Sequence, residues 1–223
     1  MGGRHNKANV ARRANGQHGG RGKWAVDRKV ARPVILGVVG YAGYGGVSRG
    51  LREAGVVPAV LIDWSLNCTE VLRRNVQAAD DARVARPVVM ERQLGCDTSV
   101  AEVVRDVIVA LREVNAARTG ADSTGGDTGG GRVGVMVQAS PCCAKASGVN
   151  WATRDEESVK RELRWAAELC VGFGRAFRDD AEFYLHSSWV EMVAGGVGAW
   201  MVEAVSRTGI VQGVWIEDVL LYG

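Results

Sequence analysis

A cysteine follows a proline at the end of an apolar run. Val133-Gly134-Val135-Met136-Val137-Gln138 leads through Ala139 into Ser140-Pro141-Cys142-Cys143. A thiol there can act as a nucleophile, because the thiolate is a strong nucleophile close to neutral pH. In an open α/β sheet the carboxyl end of a strand is also where ligands bind. The plainer reading is two small buried side chains at a strand end. A second constellation lies upstream. Val34-Ile35-Leu36-Gly37-Val38-Val39 runs into Gly40-Tyr41-Ala42-Gly43-Tyr44-Gly45-Gly46 and then into a helical pattern. Strand, glycine loop and helix together place backbone N–H groups and a positive helix end near a ligand. Asp63 and Trp64 close the next run, Val56–Ile62. An acid at that tip can bind ribose hydroxyls, or it can cap the helix expected over 66–77. Trp64 can stack on an adenine or pack under that helix.

The elements that must hold these residues alternate strand and helix. Pro87–Met90 is a third short strand, with Cys96-Asp97 in the loop after it. Val100, Val103, Val104, Val107, Ile108, Leu111 and Val114 form one apolar face of a helix. Residues 119–131 are Gly, Thr, Ser and Asp with few others, which predicts a flexible insertion. Strand four is 133–138. Residues 145–154 predict an irregular loop, and a helix follows over about 156–177. Strand five is Glu182–Leu185, with a separate segment at Trp189–Val193. A helix with Val197, Trp200, Met201 and Ala204 and a last strand over 214–221 complete the pattern. Continuous apolar strands between helices predict an α/β fold, a doubly wound, mostly parallel sheet.

The chain has 223 residues and is 47% hydrophobic, enough for one domain. No apolar run is long enough to span a bilayer, and no secretory signal is visible. The five cysteines show no repeating spacing and no CxxC pair, which points to free thiols in an intracellular setting and to no metal site. Residues 1–32 hold nine Lys/Arg and one acid, a net of +8; residues 33–223 hold 19 basic and 24 acidic residues, a net of −5. The first segment reads as a basic disordered tail. Its role is a phosphate clamp or localisation signal, or else no more than a solubilising extension or a misassigned start.

In order along the chain, these pieces resemble the DNA (cytosine-5) methyltransferase family. The first motif of that family is similar to Ala42-Gly43-Tyr44-Gly45-Gly46-Val47-Ser48-Arg49-Gly50-Leu51-Arg52-Glu53-Ala54-Gly55. Its acid and neighbouring residue after strand two fall on Asp63-Trp64, and its asparagine at the end of the next helix on Asn75. Its Gly-Asp turn falls on Cys96-Asp97, its Pro-Cys motif on Ser140-Pro141-Cys142-Cys143, and its Glu-Asn-Val on Glu191-Met192-Val193. The final strand and Tyr222-Gly223 resemble the lead-in to a later motif. The resemblance covers roughly 34–223. Departures are Asp63 for the usual Glu, Cys143 for Gln and Met192 for Asn. The sequence stops before the family's Gln-x-Arg-x-Arg motif and target recognition region, so an incomplete C-terminus and a complementing polypeptide are expected.

The resemblance implies a Rossmann-like S-adenosylmethionine-dependent methyltransferase fold and methyl transfer to carbon 5 of cytosine in DNA. Cys142 is then the nucleophile, and Glu191 contacts the cytosine ring. Ala42, Gly43, Tyr44, Gly45, Gly46, Asp63, Trp64, Asp97 and Pro141 hold S-adenosylmethionine. DNA is the partner, bound weakly without the recognition region, with no metal and no membrane. The location is the nucleus in a eukaryote and otherwise the cytoplasm. The alternative is a non-catalytic Rossmann-like module that binds S-adenosylmethionine or a partner.

Overall fold

The computed structural model describes residues 34–78, 86–95, 97–121, 131–141 and 156–191. The basic segment 1–32, Cys96, Cys142, Cys143, residues 145–154 and the elements expected after 192 lie outside the described residues.

Five strands and four helices alternate: β1 Ile35–Gly40, α1 Gly46–Glu53, β2 Val57–Asp63, α2 Leu66–Ala78, β3 Val88–Glu91, α3 Val100–Ala121, β4 Val133–Ala139, α4 Glu156–Ala176 and β5 Phe183–Val190. The strands form one sheet in the order β3-β2-β1-β4-β5, and every pairing is parallel. The chain winds outward from β1 to β3, then returns to place β4 against the free side of β1. The carboxyl ends of β1 and β4 therefore flank the point where winding changes direction, where open α/β sheets form a ligand crevice.

The central strands β1, β2 and β4 are largely buried on both faces, which is why they read as unbroken apolar runs, whereas the edge strands β3 and β5 are partly exposed. Leu36 and Val38 of β1 pack with Val103, Val107 and Leu111 of α3 and with Leu169 and Phe173 of α4. Val39 points the other way, into a cluster with Leu51 of α1 and Leu72 of α2. Gly172 allows α3 and α4 to pack closely, since a Cβ there would lie 3.1 Å from Val100 and Val104. Phe173 stacks on Phe177 with centroids 5.6 Å apart, and Phe183 tilts against Phe177 at 5.9 Å.

Two expectations change. The two pieces expected at 182–185 and 189–193 meet in one strand, β5 Phe183–Val190, with a register shift opposite Val135 and Met136 that makes His186 an extra residue; Met192 and Val193 lie outside the described residues. The polar stretch His186-Ser187-Ser188 hides that continuity from a hydrophobicity pattern. Residues 119–121, expected in a flexible insertion, are instead the last residues of α3, which continues to Ala121.

Asp180 launches β5. Its Oδ1 accepts from the N–H groups of Glu182 and Phe183 at 2.8 and 2.9 Å, and its Oδ2 accepts from Arg112 Nη2 at 3.0 Å. Burial opposes its ionisation, but these two N–H groups and the guanidinium together hold its carboxyl below the usual carboxylate range. A depressed carboxylate contributes stability above its unfolded pKa and loses it as pH falls through the folded one. Asp180→Asn is expected to lower the urea midpoint at pH 7, with the gap to the parent closing toward pH 3. Phe173→Ala is expected to cost about 3–5 kcal/mol in urea unfolding. Val109→Ala, at a side chain 52% exposed, is expected to stay within about 0.5 kcal/mol.

Candidate active site at the carboxyl edge of the sheet

The loop after β1 is shaped by residues that accept positive φ. Gly43 and Gly45 have φ of 53° and 96°, and Tyr41 adopts φ 57°. The first two are natural for glycine, whereas a bulky aromatic there is strained. Gly45 is the N-cap of α1 and brings no side-chain acceptor, and the first turn of α1 holds no acid. No side chain of the cap or of the first turn of α1 therefore offsets its positive end. Beyond the Cβ positions of Gly43 and Gly46 there is open space to at least 4 Å.

Asp63 ties this loop down. It is 5% exposed. Its Oδ2 accepts from Gly43 N–H at 2.8 Å and its Oδ1 from Ser65 N–H at 2.9 Å. Its own carbonyl accepts from Arg92 N–H at 2.9 Å. The acid thus bonds two loops before it could bond a ligand, and it does not cap α2, which starts at Leu66. A carboxylate has about four acceptor positions, so two remain. Trp64 does not pack beneath α2: it is 65% exposed, and Tyr44 in the glycine loop is 67% exposed.

The loop after β3 folds back toward β1. Leu94 is buried, and its Cδ1 lies 3.5 Å from where a Cβ on Gly40 would sit. Asp97 is exposed in the following turn. That turn is fastened by Trp165 Nε1–H, which donates to Thr98 O at 2.8 Å. Arg92 pairs with Asp106 and, at 3.4 Å, with Glu102, joining the same loop to α3.

At the end of β4, Ser140 N–H donates to Gly40 O at 3.4 Å, and at the end of β5 Glu191 N–H donates to Ala139 O at 3.0 Å. Pro141 is buried. Ala42, Gly43, Gly45 and Asp63 are thus gathered at one place on the carboxyl edge, while Ser140, Pro141 and Glu191 share the β4–β5 part of that edge. Cys142, the expected nucleophile, follows Pro141 directly and lies outside the described residues. Two described cysteines remain. Cys68 is half-buried, whereas burial pushes the Cys170 thiol up to about 11, leaving it protonated and inert near neutral pH.

Sequence reasoning missed Gln138. It is fully buried at the end of β4, and its Nε2 donates to Ser140 Oγ. The available signal was an amide in an otherwise apolar strand, since a buried polar group calls for a partner.

No family model and no curated protein matches this sequence. The fold defines an α/β protein with a five-stranded, all-parallel, Rossmann-like sheet. Among the described residues no group of three or more His, Cys, Asp or Glu could hold a metal ion, and no helix is long and apolar enough to cross a membrane.

Asp63→Asn keeps the size but offers one acceptor oxygen where two are used. It is expected to cost about 1–3 kcal/mol in urea unfolding and to speed hydrogen exchange at Gly43 N–H. Unchanged exchange there would show that the loop does not depend on this bond.

Proposed function

We propose that this chain transfers a methyl group from S-adenosylmethionine to carbon 5 of cytosine in DNA, with Cys142 as the nucleophile. The observation that supports this most is the meeting, across the β1–β4 reversal, of a glycine loop and the Ser140-Pro141 turn that leads into Cys142. The residues fit a nucleoside-bearing cofactor. The open space over Gly43 and Gly46 and the uncapped end of α1 suit its polar portion. The exposed Trp64 ring suits an adenine face. Asp63 has acceptor positions left for ribose hydroxyls, and Asp97 lies in a loop turned toward the same edge. Bound S-adenosylmethionine supplies an electrophilic methyl group.

The chemistry asked of the chain is then specific. Carbon 5 of cytosine is weakly nucleophilic. Addition of the Cys142 thiolate to carbon 6 makes carbon 5 enamine-like and able to take the methyl group. Loss of the carbon 5 proton to a base and expulsion of the thiolate restore the ring. Glu191 contacts ring nitrogen 3 and the exocyclic amine, stabilising the charge that develops during addition. The target base leaves the helical stack to reach these groups, and the basic residues 4–32 supply sequence-independent phosphate attraction.

The test is trapping on a single-stranded oligonucleotide carrying 5-fluorocytosine, with S-adenosylmethionine present. A covalent adduct is expected for the parent and for Cys143→Ala, and none for Cys142→Ala. Cofactor binding by calorimetry with no adduct in the parent would instead support a binding module without catalysis. Loss of the adduct only in Cys143→Ala would overturn the assignment of Cys142.

A further inference from the structure

Three polar side chains meet at the carboxyl ends of β4 and β5. Gln138 Nε2 donates to Ser140 Oγ, and Ser140 Oγ donates to Glu191 Oε2 at 3.3 Å. The three differ in exposure: Gln138 is fully buried, Ser140 half-buried and Glu191 exposed. The chain of bonds therefore runs from the interior outward.

Its direction follows from the hydrogens available. A hydroxyl has one hydrogen, and an ionised carboxylate has none. If Gln138 turned its oxygen toward Ser140, the hydroxyl hydrogen would go to the amide. Ser140 would then face the carboxylate with lone pairs. With the NH₂ group toward Ser140, that single hydrogen is left for Glu191. The arrangement leaves Gln138 Oε1 buried with no hydrogen-bond partner among the described residues. A buried amide oxygen without a partner is costly and calls for an explanation. Holding the serine hydroxyl in one orientation supplies it.

We propose that Ser140, oriented by Gln138, is a positioning residue that fixes the Glu191 carboxylate through Oε2 and leaves Oε1 for the ligand. The inference rests on the methyl-transfer reading only for what Glu191 touches, a cytosine ring. The linkage among the three side chains stands apart from that reading.

The experiment is a double-mutant cycle of the full chain: parent, Ser140→Ala, Glu191→Ala and the double variant. In urea unfolding at pH 7, the effects of the two substitutions on the folding equilibrium constant are expected to miss multiplicativity by about threefold to tenfold. Multiplicative effects would overturn the linkage. In 5-fluorocytosine adduct formation, Ser140→Ala is expected to slow the parent by about 10–100-fold with S-adenosylmethionine affinity unchanged. In the Glu191→Ala background the same substitution is expected to have no further effect. Ser140→Thr, which keeps the hydroxyl, is expected to retain most of the rate. Equal slowing by Ser140→Ala in both backgrounds would overturn the positioning role. A parent that forms no adduct would count against methyl transfer, and the unfolding cycle would still decide the linkage.

Discussion

One buried carboxylate holds the carboxyl edge of this sheet together. Asp63 takes the Gly43 N–H on one oxygen and the Ser65 N–H on the other, and its carbonyl takes the Arg92 N–H. The loops after β1, β2 and β3 thereby converge on a single residue. A charged acceptor bonded to backbone donors in a sheltered place is stronger than its neutral counterpart. Ala42 N–H bonds Ile62 O and Gly45 N–H bonds Ala42 O on either side of Gly43, whose own Cβ position meets nothing within 4 Å. The same acid that could serve a ligand is needed first to hold these loops together.

The opposite half of the edge is organised by β4. Returning from β3 to the far side of β1 brings Ser140 beside Gly40, with the buried Pro141 directly after it. Packing beneath it is tight and apolar, with Val135 and Val137 fully buried against α3 and α4. Gln138 is the exception, an amide placed at the boundary between that core and the polar ends of the strands. Rigid support below and polar groups above is the division a precise site requires.

Much of the scaffold could be read from residue types. Valine-rich and isoleucine-rich runs between amphipathic helices announced a parallel sheet, and Asp63 stood out as an acid ending an apolar run. The constraints on Asp63 were less visible, because its partners lie 20 residues back and two forward, and only folding brings Gly43 to it. Trp64 offered two readings, and its exposure decides against packing under α2. β5 was read as two pieces because His186-Ser187-Ser188 breaks the apolar pattern. Strand order had no local signal at all, since it depends on which side of β1 the fourth strand joins.

The extra residue in β5 has a geometric effect on everything after it. Side chains alternate across a sheet with a period of two, so one inserted residue exchanges the faces of the whole remaining strand. Past the irregularity at His186, Ser188 pairs with Val137 and Val190 with Ala139. Val190 packs into the α3–α4 core, and Glu191 emerges next at the rim beside Ser140. His186 thus acts as a phase shifter in the strand. Paired without that irregularity, His186 would lie opposite Met136 and Trp189 opposite Ala139, so a tryptophan would stand where Val190 meets the core now.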